Sequence, residues 1–461
     1  MTTPNQTSFP LTSTMKPSSV DGSWTFPSGE PDTRHHAVII GSGFGGLFAA
    51  KALRRSVRVR VTLVDRTNHH LFQPLLYQVA TGILSEGQIA PPIRDVFRNY
   101  YSMHVVAGEV KEINPDEYTI GVNEFGRLRH ISYDSLIVAG GVVTSYYGHD
   151  EYRKNALGMK SLNDALALRH QIFGAFERAE VEEDDARRAE LLTFVVIGGG
   201  PTGVEMAGQL KELSQRALRR NFRRIDPNWT RVVLVEGGDR LVASMGKRIS
   251  RITAKDLSKS GVELHFRSMV TGMDDQGIQI TQADGTSLRI DAATRVWAAG
   301  MEGSWLGAEL AARTGVELDR LGRVRVEPDC SVPGYPDIFV VGDLMALNDL
   351  PGVAEVAMQS GAHAGHAIAR RVKGDDSTRP FHYYDLGTMA AISRFRAVAK
   401  VGPIKIGGLP GWLLWLVVHV TFLTGFKNRV GAMARWAVSF IGRGRYERAL
   451  MGDWANTSES P

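Results

Sequence analysis

Short apolar runs rich in β-branched residues recur along the chain and predict buried strands. Val38–Ile40 and Phe194–Ile197 each lead into a glycine-rich turn, which is followed by a small-residue pattern with helical spacing. Tyr133–Gly141 and Thr294–Met301 are a second pair of apolar strands, and both end in small residues that leave room for a nucleotide against the backbone. Strands that alternate with helices are typical of parallel sheets. The pattern therefore predicts an α/β chain with two Rossmann-like units in tandem.

Both glycine-rich turns have the G-x-G-x-x-G spacing of dinucleotide-binding motifs. Their glycines are Gly41, Gly43 and Gly46 in the first turn, and Gly198, Gly200 and Gly203 in the second. One glycine of each set forms the tight turn, one lets the backbone approach a pyrophosphate, and one lets the helix pack against its strand. The pyrophosphate binds the unpaired N–H groups at the helix N-terminus. A single motif is weak support, but two in the same context predict two dinucleotide sites.

An acidic residue follows each motif at the end of the next predicted strand. These residues are Asp65 and Glu236. A carboxylate at this point accepts hydrogen bonds from ribose hydroxyls and repels a 2′-phosphate, so the second site is expected to prefer NADH to NADPH. Asp343 follows Gly342 at a further strand end, where it is placed to bind a sugar or ribityl hydroxyl. The remaining nucleotide-binding candidates are Phe44, Gly45, Arg66, Ala139, Thr202, Ala299 and Gly300.

Two further segments are candidates for the surroundings of a flavin ring. Gln73–Tyr77 belongs to a stretch that is too apolar and aromatic for a surface loop, and core packing is its alternative role. Glu355 and Gln359 lie four residues apart on one face of a predicted helix that ends near Gly374. They occupy the first turns of that helix, where the positive end of the helix dipole would stabilise an anionic reduced flavin.

Composition excludes several classes of protein. The chain has 461 residues, of which 43% are apolar and 22% charged, so it is globular and not a polytopic membrane protein. The net charge of +5 permits contact with acidic lipid or nucleic acid, but no aromatic-interleaved basic surface and no Cys/His cluster supports nucleic acid or a metal site. Cys330 is the single cysteine, which excludes the two-thiol chemistry of disulfide reductases. We expect Cys330 to be a structural thiol.

The two ends of the chain differ from its middle. Met1–Pro31 is rich in Ser, Thr and Pro and predicts a disordered tail. Pro410–Phe426 is strongly apolar but shorter than the roughly 20 residues that span a bilayer. Cations interleaved with apolar residues follow it, which predicts a segment lying in the headgroup plane of an anionic membrane. The alternative is a helix pair that covers a core or forms a dimer. These cations are Lys427, Arg429, Arg435, Arg443, Arg445 and Arg448.

Several longer motifs extend this picture from Arg34 to Arg445. They read VIIGSGFGGL, HLFQPLLYQVATGILSEGQIAPPIR, VVIGGGPTGVEMAGQ, FVVGDLM, PGVAEVAMQSG, FHYYDLGTMAAISR and WLLWLVVH. With these motifs the chain resembles the type II NADH dehydrogenases, which are single-subunit NADH:quinone oxidoreductases that pump no protons. It looks most like actinobacterial members. The HLFQPLLYQVATG stretch is far more specific than either glycine motif.

The resemblance implies a two-dinucleotide flavoprotein fold with non-covalent FAD at the first motif and transient NADH at the second. Hydride passes from NADH to FAD, and two electrons then pass to a membrane quinone, expected to be menaquinone. Members are peripheral on the cytoplasmic face of the membrane through C-terminal helices and are often homodimers. Glu205 matches an acidic residue near the contact of nicotinamide and flavin. The quinone motif A-Q-x-x-x-Q appears as Ala354, Glu355 and Gln359, with glutamate in place of the first glutamine.

These expectations divide the chain into five segments. They are a disordered tail (1–33), the first part of an FAD-binding domain (34–160), an NADH-binding domain (161–310), the second part of the FAD-binding domain (311–380) and a C-terminal membrane-anchoring region (381–461). Two other functions fit the same nucleotide sites. One is a soluble reductase of a ferredoxin-like or rubredoxin-like carrier, which would stay active without residues from Pro410 onward. The other is a redox-sensing protein that binds FAD and NADH.

Overall fold

The computed structural model describes residues 32–442 and 444–450. Residues 1–31, which hold nearly all of the predicted disordered tail, lie outside the described residues, as do Arg443 and residues 451–461. The strands and helices of the first part are β1 (His35–Ile40), α1 (Phe44–Leu53), β2 (Val59–Asp65), α2 (Leu76–Ala80), α3 (Glu86–Ile89), α4 (Ile93–Val96), β3 (Met103–Ala107), β4 (Glu109–Asn114), β5 (Thr119–Glu124), β6 (Arg127–Ser132), β7 (Ser135–Val138) and β8 (Val142–Thr144).

The middle of the chain forms a second unit of the same kind. Its elements are α5 (Leu162–Val181), α6 (Asp185–Leu191), β9 (Thr193–Ile197), α7 (Pro201–Glu212), β10 (Arg231–Glu236), α8 (Lys247–Ser260), β11 (Val262–Phe266), β12 (Met269–Met273), β13 (Gly277–Thr281), β14 (Ser287–Asp291), β15 (Thr294–Trp297) and β16 (Met301–Gly303). The serine before α5, Ser161, caps that helix by accepting a hydrogen bond from the Asp164 N–H.

The last part completes the first unit and adds a C-terminal layer. Its elements are α9 (Trp305–Thr314), β17 (Val324–Arg325), β18 (Ser331–Val332), β19 (Tyr335–Val340), β20 (Met345–Ala346), α10 (Ala354–Arg371), β21 (Thr388–Ser393), β22 (Arg396–Val401), β23 (Ile404–Gly408), α11 (Leu409–Phe422) and α12 (Phe426–Ile441).

Two open sheets carry the two glycine motifs. The first has the strand order β18-β19-β7-β1-β2-β3 and the second the order β11-β10-β9-β15. All pairings in these sheets are parallel except that of β18 with β19. Their central strands β1 and β9 are buried along nearly their whole length, as expected for parallel strands covered on both faces. The predicted α/β architecture and its two strand–turn–helix units are confirmed.

The C-terminal helices pack on the body of the protein through one face each. Trp412, Trp415 and His419 recur every three or four residues on α11 and are buried, and Trp436 of α12 lies 5.4 Å from Trp415 between ring centroids. The predicted apolar segment Pro410–Phe426 therefore forms α11 and the break that follows Phe422, and its last residue, Phe426, begins α12, which carries the cation-rich segment. Among the described residues, no helix combines the length and the apolarity needed to cross a membrane.

The basic stretch from Lys211 to Arg224 is helical only at its start. Helix α7 ends at Glu212, one π-helical turn covers Leu213–Ala217, and the rest has no regular structure up to a short 3₁₀ turn at Pro227–Trp229. Cys330 is fully buried just before β18, as expected of a structural thiol.

Candidate active site

The turn between β1 and α1 has the shape that a dinucleotide requires. Gly41 has φ +98°, and a Cβ there would overlap the Ala139 carbonyl oxygen. A Cβ at Gly46 would overlap the carbonyl oxygen of Gly41, so the close packing of helix on strand also needs glycine. At Gly43, by contrast, no described atom outside the neighbouring residues of the chain lies within 4 Å of a Cβ position. Gly41 and Gly46 therefore serve the fold, while Gly43 leaves open space at the helix N-terminus.

The turn between β9 and α7 repeats this geometry. Gly198 has φ +105°, and a Cβ there would lie 2.7 Å from the Ala298 carbonyl oxygen. A Cβ at Gly203 would overlap the carbonyl oxygen of Gly198, whereas the space around Gly200 is open to 4 Å within the described structure. Neither Gly43 nor Gly200 offers a side chain to cap its helix, so first-turn N–H groups of α1 and α7 are available to a phosphate.

The two strand-end acids bind the glycine turns that precede them. The Oδ2 atom of Asp65 accepts hydrogen bonds from the N–H and hydroxyl of Ser42, at 2.6 and 2.8 Å. The Oε2 atom of Glu236 accepts one from the Gly199 N–H at 2.6 Å. Each carboxylate thus orders its own motif, a role that the sequence did not indicate. Carboxylate oxygens have further lone pairs for ribose hydroxyls.

The other nucleotide-binding candidates lie around the same turns. Phe44 is buried and packs edge-on against Phe72, with 5.6 Å between ring centroids. Gly45 contacts α10, because a Cβ on Gly361 would overlap its carbonyl oxygen. Arg66 is exposed, whereas Ala139, Thr202, Ala299 and Gly300 are half-buried. Gly342 has φ +73° and donates its N–H to the Ser360 hydroxyl at 3.0 Å.

Asp343 has a partner that the sequence did not suggest. The Lys160 ammonium lies 3.4 Å from Asp343 Oδ2, and the Lys160 carbonyl accepts a hydrogen bond from the Gln73 side chain at 3.3 Å. Gln73 begins the candidate flavin-lining segment, whose Leu75–Tyr77 portion is buried in the core. Three distant parts of the chain therefore meet at Lys160. In the sequence, Lys160 is marked only by its position directly before Ser161, the residue that caps α5.

Glu205 is buried on α7, two residues after Gly203. Its Oε1 atom accepts a hydrogen bond from the Ala391 N–H of β21 at 3.2 Å. Loss of hydration on burial raises the pKa of Glu205 to about 8. The carboxyl is therefore protonated at neutral pH and can donate a hydrogen bond or a proton. Burial also raises the pKa of Tyr77, and the negative charge of ionised Glu205 acts in the same direction.

This raised pKa predicts a specific pH dependence of stability. An unfolded glutamate ionises near pH 4.5, so folding takes up a proton between about pH 4.5 and pH 8. The free energy of unfolding should fall as pH rises through that window. Glu205→Gln has no titrating carboxyl at this position and lacks this contribution. Between about pH 4.5 and pH 8, the unfolding midpoint of wild type should therefore fall by a few degrees more than that of the variant. Identical pH dependence of both proteins, by thermal unfolding, would contradict a buried protonated Glu205.

Glu355 and Gln359 bind one segment between α10 and β21. Glu355 Oε2 accepts hydrogen bonds from the Tyr383 hydroxyl and the Leu386 N–H, both at 3.2 Å. The Gln359 amide accepts one from the Tyr384 N–H at 3.0 Å and donates one to the Tyr384 carbonyl at 2.9 Å. Partial burial raises the pKa of Glu355. The segment continues to Ala391, whose N–H donates to Glu205, so residues 383–391 connect Glu205, Glu355 and Gln359.

The structure corrects the prediction for Arg445. This side chain was grouped with the lipid-facing cations, but it is only 4% exposed. Its guanidinium donates to the Thr81 carbonyl at 3.0 Å and to the Gln209 side chain at 2.9 Å, and lies 3.8 Å from Glu212. Arg445 thus joins the C-terminal segment to α7 and to the end of α2. Spacing along the chain gives no signal for such a long-range contact.

Known proteins resemble the chain along most of its length. A family profile described as pyridine nucleotide-disulphide oxidoreductase matches residues 35–361. The type II NADH:quinone oxidoreductase Ndh of Mycobacterium tuberculosis is 48% identical over 417 residues, which is 90% of each chain. The chain belongs to the type II NADH:quinone oxidoreductases. The second such enzyme of that organism, NdhA, is 48% identical over 433 residues, 92% of each chain. The resemblance and the enzyme class predicted from the motifs are confirmed.

A solved structure agrees in fold with this type II enzyme. NDH2 from Plasmodium falciparum, in complex with NADH, superposes with a TM-score of 0.81 at 18% identity and covers 90% of this chain and 100% of its own. At that identity the likeness concerns the fold alone. The enzyme cannot carry out the two-thiol chemistry of a disulfide reductase, because Cys330 is the single cysteine of the chain and is buried.

Proposed function

We propose that the enzyme binds FAD at the Gly41–Gly46 turn and NADH at the Gly198–Gly203 turn, and reduces a membrane quinone beside Glu355 and Gln359. The single observation that carries this proposal is the repeated geometry of the two turns, each with open space at its middle glycine. Both turns suit a pyrophosphate, which FAD and NADH contain and FMN lacks. A bound flavin takes a hydride from NADH and passes two electrons to an acceptor.

The chain supplies nucleotide selectivity and a proton reservoir. Glu236 places negative charge at the end of β10, which favours NADH because the 2′-phosphate of NADPH would be repelled. Protonated Glu205 lies on the helix that begins at the NADH turn, so it is placed to hold a proton near the reacting rings. Glu355 accepts a hydrogen bond from the Tyr383 hydroxyl, and partial burial raises the pKa of its carboxyl, which favours uptake of a proton.

We propose a peripheral position on the cytoplasmic face of the membrane, and exposed apolar side chains on α11 and α12 support the membrane contact. Leu409, Leu413 and Val417 repeat every four residues on α11, and Val417 is 62% exposed. On α12, the exposed apolar side chains include Phe426, Val430, Met433 and Ile441, with Phe426 at 82% exposure. We call these seven side chains the apolar stripe. A stripe of this kind on paired helices suits insertion to headgroup depth.

Two finer features rest on family resemblance. We propose menaquinone as the quinone because the chain looks most like actinobacterial members. A homodimer remains a prediction. The soluble-reductase and sensor alternatives are disfavoured, since the relatives above are named as quinone oxidoreductases.

Gln359→Ala tests the quinone position. Its amide holds the backbone of Tyr384 through two hydrogen bonds, so the variant should loosen residues 383–386. We expect the quinone KM to rise about tenfold, corresponding to the loss of one or two hydrogen bonds. The rate of NADH oxidation with ferricyanide as acceptor should stay within about twofold of the wild-type rate, since ferricyanide needs no quinone pocket. Unchanged quinone kinetics would show that Gln359 does not border the pocket.

A further inference from the structure

An arginine-rich loop follows the helix that begins at the NADH turn. Four exposed arginines fall within six residues: Arg219, Arg220, Arg223 and Arg224. None of these four guanidinium groups forms an ion pair with another residue in the described part of the chain. Glu180 attracts the Arg224 guanidinium, and the Arg223 guanidinium donates to the carbonyl oxygens of Arg220 and Phe222 at 3.0 and 3.3 Å. Four positive charges beside one carboxylate leave a net positive surface, which attracts anionic surfaces.

The loop is ordered by its own packing. Glu180 of α5 accepts hydrogen bonds from the N–H groups of Arg223, Arg224 and Ile225, at 2.8 to 3.1 Å. Phe222 stacks on Phe176, with 6.0 Å between ring centroids. The backbone and the apolar side chains are thereby fixed to the body of the protein, and Glu180, the carboxylate at this site, is used by backbone N–H groups.

The loop lies next to the end of the apolar stripe. Arg216, which precedes the loop in the chain, donates to the carbonyl oxygens of Phe440 and Ile441 at 3.4 Å and also binds the Gly442 carbonyl. These carbonyls end α12, and Ile441 is the last member of the stripe, with 76% of its side chain exposed. Trp229, after the loop, is 63% exposed, and tryptophan favours the level of lipid headgroups.

We propose that the four arginines form a second membrane contact, which binds the headgroups of anionic lipids beside the end of α12. The inference rests on the proposed insertion of the apolar stripe into the membrane and adds the class of lipid that the enzyme selects. A bilayer suits the site because Arg216, just before the loop, binds the end of α12, where the apolar stripe finishes. The stripe would enter the acyl boundary while the arginines meet phosphate groups. The contact would also place the NADH-binding unit at a fixed height above the membrane.

The test compares vesicle binding of three proteins. The loop variant carries Arg219→Gln, Arg220→Gln, Arg223→Gln and Arg224→Gln. The control variant removes the same charge from exposed cations on other elements, through Arg127→Gln, Lys154→Gln, Arg320→Gln and Lys373→Gln. Co-sedimentation is measured with vesicles of phosphatidylcholine alone and with vesicles in which about a third of the lipid is phosphatidylglycerol. Flavin content and unfolding midpoint confirm that each variant is folded.

We expect wild type and the control variant to prefer the anionic vesicles. The loop variant should bind those vesicles at least about tenfold more weakly and keep its binding to phosphatidylcholine. Added salt should weaken wild-type binding to the anionic vesicles towards the level of the loop variant. Equal binding of wild type and loop variant to anionic vesicles would overturn the inference while leaving the apolar stripe intact. If wild type bound neither kind of vesicle, both the proposed membrane binding of the apolar stripe and the arginine contact would be overturned.

A contact between copies of the chain gives a different result. Light scattering without lipid should give the same mass for wild type and loop variant. A lower mass for the loop variant would assign the arginines to a protein interface and overturn the lipid inference.

Discussion

Gly43→Ala should give a folded protein that retains little flavin, whereas Gly200→Ala should give a yellow protein that NADH reduces poorly. Alanine fits the chain itself at both positions, since no described atom beyond the neighbouring residues in the chain lies within 4 Å of either Cβ. The backbone angles also suit alanine, with φ −63° at Gly43 and φ −69° at Gly200. The added methyl group therefore occupies only the space that a pyrophosphate would approach.

The expected size of the effect follows from the hydrogen bonds at stake. A hydrogen bond to a charged group contributes about 1.5–3 kcal/mol, so displacing the pyrophosphate from one N–H weakens binding about 10- to 150-fold. The KM for NADH should rise by that factor in Gly200→Ala, while its flavin content stays at the wild-type level. For Gly43→Ala, the flavin released on denaturation should be a small fraction of the wild-type amount and should be identified as FAD.

Two other variants separate binding from folding. Gly46→Ala and Gly203→Ala place a methyl group against a backbone oxygen, so they should lower the unfolding midpoint as well as weaken nucleotide binding. If Gly43→Ala kept its full flavin content and Gly200→Ala kept the wild-type KM, the two turns would not be the nucleotide sites.

Four glutamines in the apolar stripe should release the enzyme from membranes and stop quinone reduction there. The variant carries Leu413→Gln, Val417→Gln, Val430→Gln and Met433→Gln, all at exposed positions. Each removes apolar surface that would be buried in lipid, at about 25 cal/mol per Å², so the partition into vesicles should fall about a hundredfold or more. Turnover with a quinone dissolved in the vesicles should fall in parallel, while ferricyanide reduction by NADH is retained.

Truncation before Pro410 is a poorer test of the same idea. Trp412, Trp415 and Trp436 are buried in the main core and Arg445 in a polar cluster, so removal of the tail would damage the fold. A better control replaces exposed apolar residues elsewhere, through Val57→Gln, Phe125→Gln, Leu128→Gln and Val181→Gln. The control should bind vesicles like wild type. Full turnover with the vesicle-dissolved quinone by a stripe variant that no longer binds vesicles would contradict the proposed membrane role of the stripe.

The sequence predicts best what local spacing decides. Each glycine motif is a strand, a turn and a helix within some 20 residues, and the turn geometry follows from steric demands inside that segment. The acids at the ends of β2 and β10 were predictable for the same reason, because parallel strands bring their carboxyl ends to one edge of the sheet.

Contacts between distant segments were not predictable in this way. Lys160 meets Asp343, and Arg445 meets Gln209, only because the packed fold brings them together. The C-terminal helices show a second limit. Helix α11 is apolar around its whole circumference, so the spacing of apolar residues does not indicate which face is buried. In the structure Trp412 and Trp415 face the protein, whereas Leu413 and Val417 face outward. Tertiary packing decides which apolar face is covered.

Anaerobic absorption spectroscopy tests the central claim most directly, namely that two nucleotide turns on two sheets serve one reaction from NADH to a quinone. Purified enzyme should be yellow, NADH should bleach its flavin band, and menaquinone added in one run and ubiquinone in another should show which quinone restores the band faster. We predict rapid restoration with menaquinone. A band that NADH fails to bleach, or that stays bleached with both quinones, would contradict the account.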